Sequence, residues 1–174
     1  MIAERLTEPH AIVLLDGRSG TGKSHLADEV VVLVHEARLV RMDDLYPGWD
    51  GLDAAIQAVA HDLLAPLAAG RPGRWRAYDW HAARLTDWHT VEPGAPLLIE
   101  GVGSLSRLSA PSATWRVWLE AEERVRRERA LSRSLDGALF APQWDRWAAQ
   151  EDAFIAAHDS ARLADLVADT GCRS

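Results

Sequence analysis

The sequence predicts an α/β domain built on a parallel sheet with helices on both faces, and three observations carry that expectation. A short, continuously apolar run, Ala11 to Leu15, ends in Asp16-Gly17 and leads at once into a glycine-rich loop and a helical pattern. Strand, turn and crossover helix is the succession that parallel pairing requires. Similar short apolar runs recur along the chain with helical spacing between them, and acidic residues stand directly behind several of them. Open parallel sheets bind ligands at those carboxyl ends.

Taken in order, Ala11 to Leu15 is the first strand. Ser24 to His35 follows as a helix, with Leu26, Val30, Leu33 and Val34 at helical spacing. Ala37 to Met42 is the second strand, closing at Asp43-Asp44 before the turn-rich Tyr46-Pro47-Gly48. Leu52, Ala55, Ile56, Val59, Leu63 and Leu64 predict a helix capped by Asp50 and ending near Ala69-Gly70. Arg71 to Pro96 has no sustained periodicity and carries Trp75, Tyr78, Trp80 and Trp88, so it reads as a long aromatic loop of the kind that holds ligands. Leu97 to Glu100 is the third strand, Trp115 to Leu119 the fourth and Asp165 to Ala168 the fifth, with helices at about 121 to 133 and 143 to 158. Nothing resembles a repeat or linker. With 174 residues, 48% of them apolar, residues 1–174 are expected to form a single domain.

The formal charge of −7 argues against a broad nucleic-acid surface, which needs clustered basic residues. Arginines gather only between Arg124 and Arg133, and Lys23 is the sole lysine. Glu4 and Glu8 near the start, and no apolar run approaching the ~20 residues of a membrane span, lead to the expectation of a cytoplasmic protein with no membrane partner. The single cysteine, Cys172, allows no internal disulfide. The histidines show no metal-ligand spacing.

Gly17 to Ser24 reads G-R-S-G-T-G-K-S and satisfies the pattern G-x-x-x-x-G-K-[ST] of a phosphate-binding loop. The backbone N–H groups along Gly17, Ser19, Gly20, Thr21 and Gly22 can converge on phosphate oxygens at the positive end of the following helix. Lys23 can neutralise the outer phosphates and Ser24 can ligate Mg²⁺. ATP and Mg²⁺ are the cofactors this implies.

Together with the loop, Met42-Asp43-Asp44-Leu45-Tyr46, Tyr78-Asp79-Trp80 and Leu98-Ile99-Glu100-Gly101 resemble the uridine kinase-like P-loop kinases, a family that also includes nicotinamide riboside, pantothenate and phosphoribulose kinases. The likeness runs in order from residue 11 to about 133. It implies a three-layer P-loop NTPase fold of the nucleoside and nucleotide kinase type, with a five-stranded parallel sheet and a helical lid at about 124–142. Asp43, with Met42 in place of the family's glutamine, would deprotonate the acceptor hydroxyl and lie beside the metal. Glu100 would help Ser24 and Asp43 hold Mg²⁺. Asp44, Tyr46, Tyr78 and Asp79 would meet the acceptor, although the family's histidine four residues after the aspartate is Ala83 here, with His81 two residues earlier.

Residues 121 to 133 would form the lid helix. Glu122 with Arg126 and Glu123 with Arg127 are favourable pairs four residues apart, whereas Arg129 and Arg133 have no such acid and repel each other unless an anion bridges them. A phosphoryl group in transfer is such an anion, which makes Arg129 and Arg133 candidate catalytic groups. Arg127 and Arg124 match the family's lid-helix arginines, assigned here to the nucleotide and the acceptor respectively. Ser134 to Phe140 reads as the lid tip, Trp144 and Trp147 as core, and Cys172 as a neighbour of the adenine.

The resulting expectation is an ATP-dependent kinase acting on a hydroxyl of a nucleoside or similar small molecule. Two alternatives stay open: a nucleotide-dependent switch, and a kinase of nucleoside monophosphates or sugar acids served by Arg71, Arg74, Arg76 and Arg84.

Overall fold

A computed structural model of the chain describes residues 1–132 and 137–171. Arg133, the lid-tip positions Ser134 to Asp136, and Cys172 lie outside the described residues. From the N-terminus the elements are α1 (Ile2–Leu6), β1 (Ile12–Gly17), α2 (Lys23–Leu33), β2 (Arg38–Arg41), α3 (Leu52–Ala58), α4 (Ala65–Ala68), β3 (Gly73–Asp79), β4 (Arg84–Val91), β5 (Leu97–Glu100), β6 (Trp115–Glu120), α5 (Glu123–Leu131), α6 (Gly137–Phe140), α7 (Trp144–His158), α8 (Ser160–Leu163) and β7 (Leu166–Asp169).

Five strands form one sheet in the order β2-β5-β1-β6-β7, each neighbouring pair parallel. Because successive side chains of a strand face opposite ways, the apolar runs feed two cores. On one face Leu14, Val40, Leu97 and Ile99 pack with Leu52, Ile56, Leu63, Trp147 and Phe154. On the other, Val13, Leu15, Leu98, Val117 and Leu119 pack with Ile2, Leu6, Ala27 and Val30. Leu14, Leu15, Leu97, Leu98 and Ile99 are fully buried, each contributing about 1.5–3 kcal/mol through removal from water. The three-layer arrangement expected from the sequence is the observed one, and it brings the C-terminal ends of β2, β5 and β1 side by side.

Several local expectations are corrected. Arg71 to Pro96 is no loop: β3 and β4 pair antiparallel as a separate hairpin, with a register irregularity between Arg76 and Tyr78. Asp50 does not cap α3, whose N-cap is Gly51; its carboxylate accepts instead from the Arg146 guanidinium of α7. The helix after it is not continuous either. Residues Val59–Leu64 widen into a π turn just ahead of Pro66, whose missing N–H and bulky ring disfavour the ordinary bond to Asp62. The second strand ends at Arg41, because Met42–Asp44 winds into a 3₁₀ turn that carries Asp43 and Asp44. Among the described residues, no helix is long and apolar enough to cross a membrane.

Candidate active site

The loop between β1 and α2 is braced from several sides. Lys23 is 6% exposed and donates from Nζ to the Arg18 carbonyl at 3.0 Å, lying along its own loop. Thr21 is fully buried, and its hydroxyl also donates to the Arg18 carbonyl, at 2.9 Å. The Thr21 carbonyl accepts the Thr170 hydroxyl at 2.7 Å, which ties the loop to the turn after β7. Gly20 and Gly22 hold φ of +83° and +93°, conformations that glycine adopts without the Cβ penalty.

Glu100 ends β5 with 2% exposure. Burial, then the charge of Asp43, raises its pKa, while Lys23, Arg41 and the Ser24 side chain pull it back. The register Leu15↔Glu100 and Arg41↔Glu100 sets this carboxyl between the strand that leads to Lys23 and Ser24 and the strand that leads to Asp43. Arg41, from the end of β2, donates to Glu100 at 3.0 Å and to Asp28 at 2.5 Å. Sequence reasoning passes over this arginine, although its position beside Met42-Asp43 is an available signal. Asp43 and Asp44 are both exposed overall; local desolvation, then Asp43, pushes the pKa of Asp44 up. Among the described residues no three His, Cys, Asp or Glu side chains cluster as a metal site. A hydroxyl, one or two carboxylates and water suit Mg²⁺, which keeps several of its waters, so the donor set of Ser24, Glu100 and Asp43 fits that ion.

Asp16 has no exposure, and its carboxylate accepts the backbone N–H of Gly17 at 2.6 Å, Gly103 at 3.2 Å and Leu105 at 2.7 Å. Burial outweighs those donors and Lys23 and pushes its pKa from 3.8 up to about 7. A carboxyl whose folded pKa is raised stabilises fully below its unfolded pKa and loses that contribution as pH rises through the folded one. Between about pH 4 and 7 wild-type stability should therefore carry a falling component of at most ~1.4 kcal/mol per pH unit. Urea unfolding across this range should show that component missing in Asp16→Asn; parallel pH profiles for the two proteins would contradict it.

On the acceptor side, the structure separates the candidates. Tyr78 is half-buried and meets Trp80 edge-on at 5.4 Å; Trp80 lies 5.0 Å from Trp49, and Trp49 stacks on Phe140 at 5.8 Å. An aromatic surface thus joins the hairpin tip, the turn after Asp44 and the end of α6. Tyr46 is not available to it as expected. It is 3% exposed, donates its hydroxyl to the Val102 carbonyl at 2.8 Å and packs edge-on to Trp147 at 4.7 Å, so it belongs to the core. Asp79 closes the hairpin turn: it accepts the N–H of Ala82 and of His81, both at 2.9 Å, and those bonds hold its pKa below the ordinary value. Trp144 and Trp147 are core residues, each 5% exposed.

The described arginines of α5 diverge rather than share one anion. Arg124 is exposed and 3.9 Å from Glu128, Arg127 lies over the Trp144 ring at 5.9 Å, and Arg129 donates to the Thr170 carbonyl at 2.8 Å. The expected bridge between Arg129 and Arg133 involves a residue outside the described ones. Arg126, expected from its spacing to pair with Glu122, instead donates to the Ser19 carbonyl at 3.2 Å. Opposite it, Glu151 of α7 accepts the Ser19 N–H at 2.8 Å and Arg18 Nε at 3.2 Å. Sequence reasoning misses Glu151 too, yet it sits on the buried stripe Trp144, Trp147, Glu151, Phe154, and an acid at the apolar period of a helix calls for a partner.

No family model matches the sequence, and no curated protein matches it. Solved structures do match in fold. A possible uridine kinase from Bacillus stearothermophilus superposes with a TM-score of 0.64 at 19% identity, over 94% of this chain and 90% of that one. A gluconokinase from Sinorhizobium meliloti 1021 gives 0.53 at 17%, over 94% and 85%. A phosphoribulokinase from Rhodobacter spheroides gives 0.51 at 15%, over 72% and 56%. The five parallel strands, the loop after β1 and the helices on both faces therefore make up a three-layer α/β fold shared with these kinase structures.

Proposed function

We propose that the protein is a small-molecule kinase that transfers the γ-phosphoryl group of ATP to a hydroxyl of a nucleoside or a similar metabolite. The observation that carries this reading is the strand register that sets buried Glu100 between Leu15 of β1 and Arg41 of β2, so that the loop carrying Lys23 and Ser24 and the turn carrying Asp43 both leave the sheet beside it. The loop amides and Lys23 would hold the β- and γ-phosphates, and Ser24 with Glu100 and Asp43 would hold Mg²⁺. When bound, that ion neutralises charge developing on the transferred group. Asp43 would orient the acceptor hydroxyl and take its proton; most of the rate would come from positioning and charge neutralisation. Arg124 and Arg127 would be the lid groups to close over the phosphates, and Arg129 would join them only by giving up Thr170.

The aromatic surface of Tyr78, Trp80, Trp49 and Phe140 supports an acceptor with a flat or apolar face, with Asp44 to meet a hydroxyl. Of the arginines that would serve a phosphorylated acceptor, Arg76 is committed to the hairpin through the Thr86 and Leu85 carbonyls. The kinases matched in fold name a nucleoside, a sugar acid and a sugar phosphate among their substrates, so fold alone does not choose between them.

ADP release from MgATP, screened with nucleosides, pentoses, hexoses and sugar acids, tests the reading. One small hydroxylated class should raise the rate sharply above the basal level. A rate that rises only with a protein partner would make this a nucleotide switch.

A further inference from the structure

We propose that Glu151 is a positioning residue of the phosphate loop, holding the Ser19 N–H from α7 while Arg126 holds the Ser19 carbonyl from α5. This rests on the nucleotide-binding reading of that loop. Glu151 is 2% exposed, with Oε1 on the Ser19 N–H at 2.8 Å and Oε2 on Arg18 Nε at 3.2 Å. Arg126 is 6% exposed; Nη1 donates to the Ser19 carbonyl at 3.2 Å and Nε to the Ala121 carbonyl at 3.1 Å. Both Ser19 backbone groups are thus held by buried, charged side chains from two different helices.

The reason to hold this residue is the glycine run that begins directly after it. Gly20 and Gly22 are free to take many conformations, so the direction of their amides must be set from outside. Fixing Ser19 fixes the start of that run before a phosphate arrives, and preorganisation of this kind raises affinity by removing an ordering cost. Charge-assisted bonds are the stronger kind, and they hold most firmly when desolvated.

The test compares wild type with Glu151→Gln and Asp152→Asn, using a fluorescent ATP analogue with Mg²⁺, thermal unfolding, and amide hydrogen exchange of residues 17–22. Asp152 pairs with Arg18 but touches no loop amide and is 68% exposed. Glu151→Gln should weaken nucleotide binding about tenfold or more and speed exchange across the loop, whereas Asp152→Asn should change affinity less than about twofold. Glu151→Gln protein that melts earlier yet binds with wild-type affinity would reduce Glu151 to a structural residue and overturn the proposal, with nucleotide binding intact. Wild type that fails to bind the analogue would remove the nucleotide reading and this proposal together. Should Glu151→Gln not fold, Arg126→Gln removes the opposite hold and carries the same expectations.

Discussion

Asp43→Asn should bind MgATP within a few-fold of wild type and lose about 10²- to 10⁴-fold in acceptor-stimulated ADP release, the range a positioned general base supplies. The exchange keeps the size of the side chain and removes its basicity. Structural damage is not expected, because Asp43 stands exposed on the 3₁₀ turn Met42–Asp44 and lies outside both cores. Its chemical reach is a different matter: its charge raises the pKa of Asp44 and of buried Glu100. A carboxylate that close to the proposed metal site, and open to solvent on its other side, can meet a hydroxyl brought in for attack. Stopped turnover with retained binding in Asp43→Asn, alongside an Asp44→Asn protein that keeps most of its rate, would assign the proton to Asp43. Near-wild-type turnover in Asp43→Asn would remove it from that role.

How far the sequence discloses this molecule depends on the range of the interactions involved. The phosphate loop is legible because each of its residues acts through local backbone geometry, and the strands because their apolar runs are buried on both faces. The hairpin is not. Arg74-Trp75-Arg76 and Asp87-Trp88-His89 alternate over only three residues each, and the turn has no glycine, with Ala83 itself at φ +50°. Asp50 and Tyr46 mislead for a related reason. Each has a side chain suited to a local role that a distant partner, Arg146 for one and Val102 for the other, takes instead. The pairing of Arg129 with Thr170 and of Glu151 with Ser19 spans 41 and 132 positions, and no periodicity reports contacts so remote. The stripe of arginines on α5 is visible; where each guanidinium goes depends on which carbonyl or ring the fold brings beside it.

Gly20→Ala should be far more damaging than Gly22→Ala in the same loop. A Cβ at Gly20 would stand 2.1 Å from the Arg126 carbonyl oxygen and 2.7 Å from its Cα, at φ +83°. Both obstacles are backbone of α5, so no rotamer change relieves them and the helix or the loop must move. A Cβ at Gly22 meets nothing within 4 Å at φ +93°, and Gly22→Ala carries only the left-handed strain, about 1–2 kcal/mol. Gly20→Ala adds to that strain the displacement of a packed helix, for a total of roughly 3–5 kcal/mol, the range reached by core overpacking and backbone strain together. Nucleotide binding should fall with it, because the amides of this loop are the proposed phosphate ligands and α5 cannot back away without releasing Arg126 from Ser19. Urea midpoints of the two variants measure the difference directly. Equal destabilisation of Gly20→Ala and Gly22→Ala would mean that α5 does not rest on the loop, and the link between the proposed phosphate site and α5 would be lost.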